Sequence, residues 1–263
     1  MKQRAAFVDA VVAPVFLFVS FYGATLFVLT ALAVPVYWSG LIAAAVATAA
    51  TVLIWEKGKW QLGLFVTPRR AVPEFMIGLI WGALLVGACA LLVVLTSDVR
   101  HDRGTGFPWI ELLIIFIPAA VHEELLFRGY VFQKMRRWNR TAAILSIAFL
   151  FAALHFNNSA LTWIGIANIF LGGILLGLAY ELYGRLWFPI GVHLAWNVMS
   201  GPILGHEVSG YDSARTLLVE RGAGQVIVTG GDFGIEGSVW MTLTEAAGIL
   251  LLLHRIRKRS QPT

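Results

Sequence analysis

The sequence predicts an all-α protein, a polytopic membrane helix bundle of about eight transmembrane helices with both termini cytoplasmic. Three observations carry this. Hydrophobic residues make up 58% of the 263 residues and charged residues only 13%, where a soluble domain carries roughly 45–50% and about 25%. Apolar runs are long enough to cross a bilayer, which takes about 20 residues per helix. The basic residues stand in short clusters between those runs, which is the pattern that sets membrane topology. Mean hydropathy is +0.76. Together these exclude a soluble enzyme, a disordered chain and a collagen-like chain. They exclude a membrane β-barrel as well, whose strands alternate over roughly 10 residues.

No charged residue occurs between Asp9 and Glu56. That run is too long for the apolar region of a signal peptide, roughly 7–15 residues, and reads as two retained spans at 10–34 and 39–55, split near Pro35 and Ser39. The next spans are expected at 75–97, 109–133, 141–156, 160–182, 186–202 and 238–254. The seventh is short, which suggests a tilted or broken helix. Gly78 and Gly82, and Gly173 and Gly177, sit four apart within spans, a spacing that lets helices approach closely; we read both as intramolecular packing. The single cysteine, Cys89, forms no intrachain disulfide and belongs to no metal-ligand cluster.

Sidedness follows from the basic residues. With the N-terminus in the cytoplasm, the inner segments hold Lys2, Arg4, Lys57, Lys59, Arg69, Arg70, Lys134, Arg136, Arg137, Arg140, Arg185, Arg255, Arg257, Lys258 and Arg259. That is 15 of the 20 Lys and Arg residues. The outer loops hold Arg100, Arg103, Arg215 and Arg221, and Arg128 lies within a span. An excess of that size inside places both termini in the cytoplasm. The net charge of +5 is therefore a membrane feature, and no nucleic-acid partner is expected.

Polar residues inside the spans mark the functional site. Charge at the bilayer centre costs at least about 2.5–3.5 kcal/mol per residue. The fourth span nevertheless contains His122, Glu123, Glu124 and Arg128. Glu124 and Arg128 are i and i+4 on one helix face and pair there. Glu123 points about 100° away round the helix and is left for chemistry. His155 lies near the end of the fifth span. His193 and Asn197, again i and i+4, share a face of the seventh. His122 and Asn168 are read as structural, and Asp9 and Glu245 as structural or interfacial. A salt bridge alone does not account for Glu123, so a purely structural reading of the three segments fails.

In this order the three segments resemble the CPBP family of intramembrane proteases. The family contains the CAAX prenyl endopeptidases of the Ras-converting type and the bacteriocin-processing or immunity (Abi) proteins. Its Glu-Glu-x-x-x-Arg motif stands at Glu123 to Arg128, its Phe-x-x-x-His motif at Phe151 to His155, and its His-x-x-x-Asn motif at His193 to Asn197. Gly173, Gly177, Tyr180, Gly184 and Pro189 also resemble the family. The chain then divides into N-terminal helices at 1–107, a catalytic core at 108–202, an extracytoplasmic loop at 203–237, and a last helix with a basic tail at 238–263.

The resemblance implies a hydrolase that cuts a peptide bond of a membrane-associated or lipidated substrate. Glu123 and His155 activate a water, His193 and Asn197 form an oxyanion hole, and Glu124 and Arg128 support the site. This glutamic-protease chemistry needs no cofactor. Its alternative is zinc held by Glu123, His155 and His193, a His₂Glu set known from catalytic zinc sites. Position 126 is Leu126, so His122 and Glu123 do not open a His-Glu-x-x-His motif. The partners implied are a membrane-bound peptide or protein and the lipid bilayer, probed against a non-catalytic immunity or scaffold role, and the location is the prokaryotic plasma membrane. A proton-coupled transporter is disfavoured, because the two halves show no repeated pair of broken helices.

Overall fold

The computed structural model describes residues 7–60, 63–64, 67–208 and 211–260; the predicted inner residues Lys2 and Arg4 lie outside them. Eight helices account for most of the described chain. They are α1 (Val8–Ala31), α2 (Val36–Ile54), α3 (Pro68–Thr96), α4 (109–138), α5 (Arg140–Leu154), α6 (Trp163–Tyr183), α7 (Trp187–Val198) and α8 (Val239–Ser260). Each predicted span is helical. Among the described residues, α1, α2, α3, α6 and α8 are long and apolar enough to cross a membrane. The other three fall short for local reasons: α4 carries charges and two π-wound turns, α5 has 15 residues, and α7 has 12 before it passes into a π-wound segment, Met199–Ile203. Length and composition thus pick out five of the eight expected spans.

Helix ends follow the residues. Ala33 takes a positive φ, and Pro35 opens α2. Pro68 sits in the first turn of α3, where its missing N–H costs nothing, so α3 begins earlier than expected. The Asn139 side chain accepts from Ala142 N at 2.9 Å and caps α5. Thr162 does the same for α6 through Gly165 N, and Gly184, at φ +66°, ends that helix.

The all-α expectation misses one element. β1 (Arg100–Arg103) pairs antiparallel with β2 (Leu218–Arg221), with His101 opposite Glu220. Four residues on each side are too few to show a strand periodicity, and the ribbon joins segments more than a hundred residues apart.

The two ends of the bundle differ. Arg136 and Arg140 both bind Glu181, at 2.6 and 3.0 Å. Lys134 reaches Glu56 at 2.6 Å, Arg185 pairs with Glu74, and Arg259 donates to Leu182 O. Clusters far apart in sequence thus gather at one end. Both described ends of the chain lie there too, since Phe7 packs on Trp138 and Arg259 on Tyr183. The β1–β2 ribbon occupies the opposite end. Between them the surface is apolar, with Phe16, Phe27, Leu84, Phe149 and Leu250 exposed, the signature of a lipid-facing belt. Exposed tryptophans flank it, Trp55 and Trp138 toward the basic end and Trp109 and Trp163 toward the other.

Two glycine-mediated crossings hold the core. A Cβ on Gly78 would stand 2.3 Å from Phe188 O, one on Gly82 2.3 Å from Val192 O, and one on Gly191 2.3 Å from Phe75 O. α3 and α7 therefore touch backbone to backbone. Gly173 makes the same kind of approach to Ala148, joining α6 to α5. Both small-residue pairs pack within the chain. Gly82→Leu drives a side chain into the Val192 carbonyl and lowers stability by about 1–3 kcal/mol, read as a drop in melting temperature in detergent. Gly87→Ala, inside the same helix, meets nothing within 4 Å; it does not lower stability and raises it by up to about 0.5–1 kcal/mol.

Candidate active site

Helix α4 is built to present its charges. Pro118 lacks an N–H and cannot bond back to the Ile114 carbonyl, and the turn before it, Leu112–Phe116, is π-wound. A normal α-helical stretch, Ile117–Glu124, carries His122, Glu123 and Glu124. A second π turn, Leu125–Gly129, carries Arg128, and Gly129 bends the chain with ψ −127°. The Gln133 side chain donates to Arg128 O at 3.3 Å, satisfying a carbonyl that the bend leaves open.

Glu124 and Arg128 are both fully buried. Arg128 Nη1 donates to Glu124 Oε1 at 3.0 Å, and Nη2 donates to Gly173 O at 3.0 Å. The guanidinium carbon lies 4.9 Å from the centre of the Phe151 ring, a cation–π contact. The same Glu124 oxygen accepts from His193 Nδ1 at 2.8 Å. The Gly173 carbonyl, Arg128, Glu124 and His193 form one chain of charge-assisted bonds across α6, α4 and α7. The sequence suggested the link from Arg128 to Glu124; the link from Glu124 to His193 joins residues 69 apart and has no local signal.

His193 turns its other nitrogen, Nε2, to within 3.7 Å of Glu123 Oε2. Glu123 is a quarter exposed and faces a cavity of about 380 Å³. His155, the residue that closes α5, donates Nδ1–H to Phe151 O at 2.7 Å, which leaves Nε2 as an acceptor. Its ring packs on Phe151 with centroids 4.7 Å apart. Glu123, His155, His193 and Asn197 all line this cavity. Glu124 and Arg128 stand behind it. The donor atoms of Glu123, His155 and His193 do not fall within 4.8 Å of one another; among the described residues that spacing is met by His101, His206 and Glu220.

Other parts of the wall were not singled out in the sequence. Tyr22 of α1 and Tyr37 of α2 face the cavity. His122 stacks on Tyr22, accepts or donates at 3.0 Å through Nε2, and fills the space over Gly40, where a Cβ would stand 2.5 Å from its ring. His122 also lines the cavity. Asn168 donates to Glu236 O at 2.7 Å and to Ser238 O at 2.9 Å, and accepts from Thr242 Oγ1. It thereby ties α6 to the start of α8 and seats Glu236, which accepts from Trp196 Nε1 at 2.9 Å. Glu245, taken as structural or interfacial, is 1% exposed and also lines the cavity. A lone carboxylate in an apolar span was the one signal available for it.

Removing one partner of the Glu124–Arg128 pair strands a charge in the interior, a loss of about 3–5 kcal/mol. Arg128→Met and Glu124→Gln each lower the melting temperature strongly in detergent. The double variant loses less than the sum, as coupled partners do; strict additivity in that cycle would mean the two side chains do not act as a pair.

Residues 105–199 match the family described as type II CAAX prenyl endopeptidase Rce1-like. That stretch contains Glu123, Glu124, Arg128, His155, His193 and Asn197. An Escherichia coli protein named "Uncharacterized 24.3 kDa protein" is 34% identical over 96 residues, which cover 35% of this chain and 43% of the relative. The chain thus matches less than half the length of that relative. With five long apolar helices and a stretch at residues 105–199 that is similar to the Rce1-like CAAX endopeptidases, this chain is an integral membrane protein.

Proposed function

We propose that the protein is an intramembrane endopeptidase in which Glu123 activates the attacking water. The observation that supports this most directly is the cavity shared by Glu123, His155, His193 and Asn197 inside a domain of a peptidase family. Glu123 takes a proton from water as the oxygen attacks the scissile carbonyl carbon. His155 Nε2, free because Nδ1 is bound to Phe151 O, accepts the other water hydrogen and aims the lone pair. The carbonyl oxygen gains negative charge and is met by the Asn197 amide and by His193 Nε2–H. To donate from Nε2 while Glu124 holds Nδ1–H, His193 carries both protons, and the two neighbouring glutamates supply the counter-charge. Glu123 then passes its proton to the leaving nitrogen as the C–N bond breaks. No metal enters these steps.

The substrate is a membrane-associated or lipidated peptide. Leu154 lines the cavity and is 61% exposed on the apolar surface, so the mouth borders lipid. Water and the polar peptide meet Glu123, which no lipid tail would hydrate.

Glu123→Gln keeps the shape and removes the base, and base catalysis is worth about 10²–10⁴ in rate. The membrane and secreted proteomes of cells with wild-type protein contain peptide termini that are missing with Glu123→Gln at equal abundance. Asn197→Ala slows their appearance about 10²–10³-fold. Identical termini, with Glu123→Gln still complementing a deletion phenotype, would move the assignment to a binding or immunity role.

The basic end of the bundle faces the cytoplasm of a prokaryotic cell in this reading. Lys57 and Arg215 are exposed at opposite ends, and the native Cys89 is buried. An impermeant maleimide therefore labels Arg215→Cys in intact cells and Lys57→Cys only after permeabilisation. The opposite pattern reverses the orientation.

A further inference from the structure

The end of the bundle away from the basic clusters contains a second constellation, separate from the cavity. His101 and Glu220 are directly opposed in the β1–β2 register, so their side chains leave the ribbon on one face. His206 enters from the loop that follows α7. Gly205, at φ +78°, makes this possible: a Cβ there would stand 2.3 Å from Leu218 O, so the loop lies directly on β2. The His206 amide is fixed by Ser200 O at 3.0 Å.

The polar atoms of this cluster are left over. His206 Nδ1 lies 2.8 Å from Glu220 Oε2, an ion-pair contact. His101 Nε2 and His206 Nε2 are buried and have no hydrogen-bond partner among the described residues. The His206 side chain is 4% exposed. The two imidazoles stand edge to face with centroids 5.5 Å apart. One ligand-type atom from each of the three residues lies within 4.8 Å of the other two. Buried polar groups are normally satisfied, so two unpartnered imidazole nitrogens beside a carboxylate point to a missing common partner. The chemistry of that partner is set by the donors. Two imidazoles and a carboxylate are ligands of zinc, at about 2.0–2.2 Å each. A tetrahedral ion spaces its ligands by roughly 3.3 Å, within reach of small side-chain rotations from the present spread.

We propose that His101, His206 and Glu220 bind one zinc ion, with water in the fourth position. Its three ligands come from the α3–α4 connection, the loop after α7 and β2, so the ion clips three separate chain segments together. The same outer loop sends Val208, Tyr211 and Glu236 into the cavity wall. The clip therefore holds the outer wall of the cavity in place while taking no part in the chemistry at Glu123, and it stands whether or not Glu123 is the base.

The test uses full-length protein in detergent, purified through a tag without histidine, stripped with chelator and desalted after exposure to roughly 10 µM free zinc. Elemental analysis is expected to find one zinc per chain in wild type, Glu123→Gln and His155→Ala. His101→Gln, His206→Ala and Glu220→Gln retain less than a tenth. Zinc also raises the melting temperature of wild type and leaves that of His101→Gln and Glu220→Gln unmoved. These two ribbon variants keep the test open if His206→Ala fails to fold. Cobalt exchange gives the visible band of a tetrahedral ion in wild type alone among the four. Absence of zinc from wild type after this exposure overturns the proposal. So does zinc retained by the three ligand variants, or zinc lost in His155→Ala, which would place the ion in the cavity.

Discussion

A carboxylate and a guanidinium, both withdrawn completely from solvent, organise the interior of this protein. Each would be prohibitively placed alone in an apolar bundle. Together they satisfy one another and recruit neighbours: Arg128 takes the Gly173 carbonyl and the face of Phe151, and Glu124 takes His193. Those contacts come from four helices, α4, α5, α6 and α7. They fix the rotation of α4, and that rotation decides where its next carboxylate goes. Glu123 precedes Glu124 by one residue, about 100° round the helix, and so opens to the cavity instead of the core. The ring of His193, held at Nδ1, is left with Nε2 toward Glu123.

The backbone has to come close for these bonds to form. Glycines on α3 and α7 remove the side chains that would keep the two helices apart. This lets a helix of only 12 residues be clamped along its length, which suits an element carrying two polar site residues. The π turns of α4 act in the same sense. They flank the acidic stretch and change the helical phase on either side of it, and π turns of this kind recur at functional sites.

The two ends of the bundle are held by different chemistry. Arginines and glutamates from distant segments knit the basic end together. The opposite end is closed by a short ribbon and a loop whose glycines allow backbone to lie on backbone. That loop is part of the cavity wall through Tyr211 and Glu236, so the region that looked like a mere connection shapes the site.

The sequence by itself determined the class of protein, the places of its helices and the polar residues that face inward. These are local quantities. A run of apolar residues is unstable in water wherever it folds, and Glu123, Glu124, Arg128, His155, His193 and Asn197 declare themselves by being polar inside such runs. Of the eight spans it predicts, α1, α2, α3, α6 and α8 are long and apolar enough to cross a membrane. Only the tertiary structure decided which partners meet: Glu124 with His193, Glu236 and Glu245 with the cavity, and His101 with His206 and Glu220. The reason is physical. These contacts join segments tens to more than a hundred residues apart, and a lone carboxylate or imidazole in a sequence carries no mark of its partner until packing brings the two within a few ångströms.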